Sequence, residues 1–333
     1  MQLTFSFIIP VYNRPEETKE LLESLAMLEY DDGFEVVIVE DGSTETSETV
    51  VKQFSNSLNI NYFFKENSGP GSSRNYGMQR AKGNYFIILD SDCIIPPHYL
   101  TTVKTYLTNT FYHCYGGADA ADEGFSKLQK AINYTMTSFF TTGGIRGNKK
   151  SIQEFEPRSF NMGISKEAFE ATGGFGIIHP GEDPDLSQRI KKKGYTTTFL
   201  PNAYVYHKRR ISWKKFYTQV KKFGLVRPIL NKWHPDAAKI TFWLPTLFVF
   251  FTLGSILLGL FCSILFLIPL LSYILLLFID SAIKNKSVVI GFLSIIAVFV
   301  QFFGYGLAYF YSTLHITWMG RNPQEQFPHL FFK

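Results

Sequence analysis

Charge is what this sequence runs short of, and the shortage is uneven. From Thr241 to Phe278 there is no Lys, Arg, Asp or Glu, which excludes a solvated surface for that stretch. Cysteine is scarce as well. The three present, Cys93, Cys114 and Cys262, have no metal-binding spacing and no even-numbered framework. A disulfide-stapled secreted domain is thereby excluded, and reduced thiols in a cytosolic setting are expected. The first residues, Met-Gln-Leu-Thr-Phe-Ser-Phe-Ile-Ile-Pro, lack a basic leader and a cleavage site, so they read as a first strand and not as a signal peptide. Net charge is a modest +5. No nucleic-acid partner is expected, because the basic residues gather in one belt: 208–239 holds ten Lys or Arg against one acid, Asp236.

What is present divides the chain in two. Its 333 residues are 46% hydrophobic and 17% aromatic, rich for a soluble enzyme, and most of the excess follows Lys239. The earlier part reads as mixed α/β sequence. Phe5 to Ile9 is an apolar strand, Glu16 to Leu28 carries Leu21, Leu22, Leu25 and Leu28 at helical spacing, and Phe34 to Val39 is a second buried strand. This βαβ unit ends in Glu40-Asp41-Gly42-Ser43-Thr44, a turn whose carboxylates could accept from a base N–H or a ribose hydroxyl. Such a turn is more often structural when it stands alone. A weaker strand over Ile60 to Lys65 leads into Asn67-Ser68-Gly69-Pro70-Gly71-Ser72-Ser73-Arg74-Asn75. There glycines permit close backbone approach, and Arg74 at a helix start suits a phosphate.

The next strand, Tyr85 to Leu89, stops at Asp90-Ser91-Asp92. A buried strand ending this way delivers two carboxylates, on the same side, to the carboxyl edge of a sheet, where open α/β proteins bind ligands. Oxygen ligands of this kind favour a hard divalent cation, Mg²⁺ or Mn²⁺, which could also take a diphosphate. Taken alone, Asp-x-Asp is more often a polar turn closing a strand.

The order of motifs is more specific than any one of them. Phe-Ile-Ile-Pro-Val-Tyr-Asn, Val-Glu-Asp-Gly-Ser, Gly-Pro-Gly-x-x-Arg-Asn-x-Gly and Ala-Lys-Gly-Asn-Tyr-Phe-Ile-Ile-Leu-Asp-Ser-Asp together resemble the inverting nucleotide-sugar glycosyltransferases of family 2. The resemblance continues through Asn161-Met162-Gly163-Ile164-Ser165, Gly173-Gly174-Phe175 and Gly181-Glu182-Asp183-Pro184-Asp185-Leu186. It implies a GT-A fold, a doubly wound α/β domain with a mixed sheet. It also implies a UDP- or GDP-linked sugar donor and a divalent cation on its diphosphate. Carried over by position, it sets Pro10, Val11 and Tyr12 beside the nucleoside, Asp41 at the base with Glu40 next to it, and Arg74 near the phosphates. Asp90 falls at ribose and metal, and Asp92 on the metal. Cys93 stands where many members have a third Asp.

An inverting transfer needs a carboxylate to deprotonate the acceptor hydroxyl. The resemblance makes Asp183 that base and gives Glu182 an orienting role, although acids in the first turn also stabilise a helix over Asp185 to Lys193. It matches His207, closing the strand Tyr204-Val205-Tyr206-His207, to a histidine that completes the metal site in some members. Gln219-Val220-Lys221-Lys222-Phe223 only echoes the Gln-x-x-Arg-Trp of processive members, so polymerisation is not expected. Between the motifs, Ser126 to Phe140 reads as an amphipathic helix followed by a glycine-rich stretch, Thr141 to Gly147.

After a catalytic domain over 1–210, residues 211–239 suggest a basic amphipathic helix lying in a membrane interface. Trp213, Phe216, Tyr217, Val220 and Phe223 share one face, flanked by Lys214, Lys215, Lys221 and Lys222. Region 240–313 is then transmembrane, with three helices expected: a hairpin turning near Gly259 to Ser263, and a third span over Val288 to Tyr311. A tail, 314–333, follows. With the basic belt cytosolic, two spans return Lys284 and Lys286 to the cytosol, as the positive-inside rule prefers, while a third carries Arg321 and Lys333 across. The expectation is a multi-pass protein of the cytoplasmic membrane. Its catalytic domain would face the cytosol and act on a polyprenyl-linked or glycolipid acceptor among membrane lipids. A nucleotidyltransferase or a catalytically silent nucleotide-binding scaffold are the alternatives.

Overall fold

A computed structural model describes residues 2–120, 125–143, 156–207 and 212–332. The chain divides into two compact units: Met1–Asp122 with Glu154–Lys208 and Phe331–Lys333, and Glu123–Gln153 with Arg209–Leu330. This differs from a boundary drawn near residue 210 in two respects. The stretch around Lys127–Thr137 belongs to the second unit, and the residues after Leu330 rejoin the first.

The first unit is built on one eight-stranded sheet. Its strands are β1 (Phe5–Val11), β2 (Glu35–Asp41), β3 (Asn59–Lys65), β4 (Tyr85–Leu89), β5 (Cys93–Ile94), β6 (Cys114–Ala120), β7 (Asn161–Ser165) and β8 (Thr197–His207), in the order β3-β2-β1-β4-β7-β6-β8-β5. β3, β2, β1 and β4 run parallel. β7 lies antiparallel to β4, with Leu89 opposite Asn161, so the sheet is mixed, as the GT-A resemblance implies.

The unbroken apolar runs of β1, β2 and β4 are buried on both faces, and their alternation sorts the core. Phe5, Phe7, Ile9, Val36, Ile38, Tyr85, Ile87 and Leu89 join Leu21, Leu22 and Leu25 of the helix Pro15–Ala26 and Tyr99, Leu100 and Val103 of the helix Tyr99–Asn109. On the opposite face, Ile8, Val37, Val39, Phe86 and Ile88 meet Met78, Ala168, Leu186 and Ile190. Each such side chain contributes about 1.5–3 kcal/mol on burial. Helices on both faces leave the carboxyl edge of the parallel strands free to carry loops: 12–14 after β1, 42–47 after β2, 66–69 after β3 and 90–92 after β4. Asn161 has a structural task here. Its side chain accepts from the Tyr99 hydroxyl at 2.6 Å and donates to the carbonyls of Ala118 and Ala203.

The second unit is helical. Lys127–Thr137 begins in a capping box between Ser126 and Gln129. Three stretches are long and apolar enough to cross a membrane: Ile240–Phe261, Ile264–Lys284 and Val288–Trp318. The expected hairpin break falls at Cys262 and Ser263. Asp280, an acid within the second of these helices, accepts from the Tyr134 hydroxyl at 2.7 Å and pairs with Lys284 at 2.9 Å. The basic helix, Trp213–Trp233, differs from a helix with an open apolar face. Phe216 and Val220 are buried among Ile132, Met136 and Ala297. Close approach explains the covering: a Cβ at Gly224 would stand 2.4 Å from the Tyr305 carbonyl, so the helix lies directly on Val288–Ser312. The glycine-rich stretch beyond Gly143, the start of the basic belt at Lys208 and the side chain of His207 lie outside the described residues.

Candidate active site

Loop chemistry at the carboxyl edge starts with Asn13, which takes a left-handed φ of 53°. From there its side chain accepts from the Thr44 and Glu45 N–H groups at 2.9 and 3.0 Å, while its own N–H donates to Ser43 Oγ at 2.8 Å. The β1 and β2 loops are thus locked together. Pro10 and Val11 lie within β1, and Tyr12 beside them is half exposed at the edge, available for stacking.

Glu40 is wholly buried. It accepts from the Ser43 hydroxyl, the Ser47 N–H at 2.9 Å and the Tyr62 hydroxyl at 3.2 Å, so its carboxylate is turned into the fold and holds its own loop. Asp41 organises the next loop. It pairs with Lys65 and accepts from the Ser68 and Gly69 N–H groups, each at 3.0 Å.

Arg74, on the helix Pro70–Arg80, is buried at the centre. One terminal nitrogen donates to Asp90 Oδ1 at 2.8 Å, and the other to Glu182 Oε1 at 3.1 Å. Its guanidinium also stands 5.2 Å from the Phe175 ring centroid. Burial alone would lower its pKa, but the carboxylates of Asp90 and Glu182 outweigh that and keep it charged. Glu182 Oε1 also bonds His179 Nδ1 at 2.9 Å. Asp90, Arg74, Glu182 and His179 therefore form one connected chain. Asp92 is held by a different cation, Arg14, at 2.8 Å.

Glu182 and Asp183 open the helix Glu182–Lys192, preceded by Gly181 at a φ of 121°. Their pKa values are pushed apart. Burial would raise that of Glu182, but the hydrogen bond and charge of His179 and the charge of Arg74 hold it down at about 2. Burial and the neighbouring Glu182 charge push Asp183 up to about 6. Asp183 Oδ1 is buried with no hydrogen-bond partner among the described residues. The two adjacent carboxyls thus differ in proton affinity, Glu182 held down and Asp183 pushed up, the kind of separation that an orienting group and a general base would need. Asp185 is instead spent on Arg189, at 2.8 Å.

For a divalent cation the relevant donors are Asp90, one-third exposed, and Asp92. His207 stands opposite Cys93 in the β5–β8 register. No group of three potential ligands gathers among the described residues. The pair therefore fits a cation whose remaining ligands come from a diphosphate and water, not a closed protein cage. Cys93 itself is buried, which raises its thiol pKa well above the ordinary value.

Three residues escaped sequence reasoning: Arg14, His179 and Lys65. Arg14 follows the parallel neighbour of β4, so a basic residue in that loop was a usable signal for a partner of Asp92. His179 and Lys65 find their carboxylates only through the fold.

The mixed sheet with its loop-bearing carboxyl edge is a GT-A-like fold, and comparison with known proteins gives the family. Residues 6–173 match glycosyl transferase family 2, and the chain belongs to that family. An uncharacterised glycosyltransferase of Rickettsia felis is 38% identical over 127 residues, 37% of this chain and 21% of that protein. The poly(ribitol-phosphate) beta-N-acetylglucosaminyltransferase TarS of Staphylococcus aureus is 34% identical over 108 residues, 32% of this chain and 19% of TarS. The matches thus span about a fifth of these relatives' length. Among solved structures, the mannosyltransferase PcManGT from Pyrobaculum calidifontis, in complex with GDP-Man and Mn²⁺, is similar with a TM-score of 0.62 and 16% identity, covering 91% of this chain and 88% of that one. That likeness is one of fold.

Proposed function

We propose that this protein is a membrane-anchored, inverting glycosyltransferase that moves a sugar from a UDP- or GDP-linked donor to a membrane-associated acceptor, a polyprenyl-linked glycan or a glycolipid. The observation that carries the reading is the Asp90–Arg74–Glu182 chain, which joins the Asp-Ser-Asp edge to the turn bearing Asp183. Donor diphosphate and acceptor hydroxyl would then meet within one rigid network.

In this mechanism Asp183 takes the proton of the acceptor hydroxyl. The acceptor oxygen attacks the anomeric carbon on the face opposite the diphosphate. The bond from that carbon to the diphosphate oxygen breaks, and the nucleoside diphosphate leaves with the electron pair. Arg74 lies beside the developing phosphate charge, and Tyr12 and Asp41 border the nucleoside. Glu40 supports the loop without touching it. A divalent cation, held by Asp90 and Asp92 with His207 as the resemblance implies, would supply further neutralisation of the diphosphate. The Mn²⁺ and GDP-Man bound to PcManGT are in keeping with a nucleotide-sugar donor and a metal.

We place the catalytic unit on the cytosolic face. Helices of 22 and 21 residues, Ile240–Phe261 and Ile264–Lys284, present mostly exposed apolar side chains, which supports a crossing hairpin. Phe331 forms an antiparallel bridge with Ile178 inside the first unit. A chain that leaves a domain and rejoins it ends on the side where it started, so the number of full crossings is even. On this reading two of the three candidate spans cross fully and Val288–Trp318 lies against the basic helix; three full crossings are the alternative. Confining the enzyme and a lipid acceptor to one membrane raises their effective concentration.

The test is nucleoside diphosphate release by the detergent-purified protein, given Mn²⁺, a panel of nucleotide sugars and a bacterial lipid extract. Release with one donor that depends on lipid supports the reading. Release equally fast with water or a soluble sugar alone removes the lipid acceptor. Donor binding without release under any condition favours a silent scaffold.

A further inference from the structure

The chain after the apolar helices does not end its course among them. Phe331 bridges to Ile178, and the Phe332 N–H donates to the Ile177 carbonyl at 3.0 Å. This pairing delivers the Phe332 ring to two parts of the site at once. On one side it lies 5.9 Å, centroid to centroid, from the His179 imidazole, at an interplanar angle of 53°. On the other it lies directly over Gly69: a Cβ at that position would stand 2.3 Å from Phe332 Cδ2. Both neighbours carry site chemistry. Gly69 donates its N–H to Asp41, and His179 bonds the carboxylate of Glu182, which Arg74 shares.

We propose that Phe332 is a positioning residue of the transfer site, a wedge that sets the spacing between the nucleotide loop at Gly69 and the His179–Glu182 turn beside the base. The inference rests on the glycosyl-transfer reading above and extends it to a residue beyond the apolar helices. Three features support a fitted wedge over incidental packing. Gly69 has a φ of 87° and no side chain, so the ring meets bare backbone. The His179 side chain is 39% exposed, so little else restrains it on that side. The backbone pairing through Ile177 and Ile178 fixes where Phe332 can stand, and Ile178 itself is buried. Without the ring, the loop and the turn would each relax, and a displacement on the order of 1 Å at a catalytic group is enough to cost rate.

The experiment compares full-length wild type with Phe332→Ala, Phe332→Leu and Phe332→Tyr, measuring nucleoside diphosphate release over donor concentration together with the thermal midpoint. Phe332→Ala is expected to lower kcat/KM about tenfold, with most of the loss in kcat. The thermal midpoint should stay within a few degrees, and Phe332→Tyr should restore the rate. Unchanged kcat and KM in an active background overturns the proposal while leaving the transferase reading intact. Rate and thermal midpoint falling together, and returning together in Phe332→Leu, also overturns it by showing a structural role alone. A wild type inactive on every donor removes the transferase reading, and the positioning role with it.

Discussion

Arg74 and Glu182 lie 108 positions apart in sequence and meet at 3.1 Å in the fold, both almost completely buried. The same arginine holds Asp90, so one side chain ties a strand-end carboxylate to the turn that carries Asp183.

That role makes Arg74 sensitive in two ways. Arg74→Ala takes the guanidinium from the buried Glu182 and leaves it with His179, with an expected loss of about 3–5 kcal/mol, read as a lowered denaturation midpoint. Arg74→Lys keeps the charge but cannot span both carboxylates with a planar fork. It should retain more stability than the alanine variant and still lose most transfer. Equal activity of Arg74→Lys and wild type would show that the bridge is dispensable.

The raised pKa of Asp183, about 6, sets the sign of two pH effects. A base works ionised, so kcat/KM should fall tenfold per unit below an apparent pKa near 6 and level off above it. Because Asp183 sits beside Glu182, that value belongs to the pair. A carboxyl whose folded pKa is raised binds its proton more tightly when folded, so stability declines as pH rises from the ordinary carboxylate value through about 6. Asp183→Asn should therefore be more stable than wild type at pH 7, by roughly 1–3 kcal/mol, and this difference should vanish near pH 4.

Asp92 should matter to the donor alone. Asp92→Ala, and chelation of the wild type by EDTA, should each weaken metal-dependent nucleotide-sugar binding by at least about tenfold in calorimetry. The two losses should not add. Additive losses would place the cation elsewhere.

Membrane topology can be read with native chemistry. Cys262 is exposed at the hairpin tip, whereas Cys93 and Cys114 are buried. With two crossings, a membrane-impermeant maleimide should label Cys262 only from outside intact cells, and Gly320→Cys in a Cys262→Ser background only from the cytosolic side. External labelling at position 320 would restore a third crossing.

Much of this was legible in the sequence, for identifiable reasons. The run Tyr85–Leu89 is buried on both faces, and β4 occupies those five residues. The apolar hairpin turns at the expected place, at Cys262 and Ser263 between its two helices. Glu40 and Asp41 stand at the expected strand end, but their hydrogen-bond partners, Tyr62, Ser68 and Gly69 among them, come from β3 and its loop, which local pattern does not reveal. The basic helix spans Trp213–Trp233, inside the expected 211–239. Its apolar face is nonetheless covered by protein, because Gly224 and Gly304 let a later helix approach closely, a pairing of glycines 80 residues apart that no periodicity shows. The return of Phe331 to Ile178 had no sequence signal of its own.

The central claim, that Asp183 is the base of a glycosyl transfer, is tested most directly by comparing donor binding and turnover in Asp183→Asn. Calorimetry with the cognate nucleotide sugar and Mn²⁺ should give a dissociation constant within about threefold of wild type, while nucleoside diphosphate release falls by about 10²–10⁴. An Asp183→Asn protein that binds donor and turns it over at near wild-type rate would contradict the account.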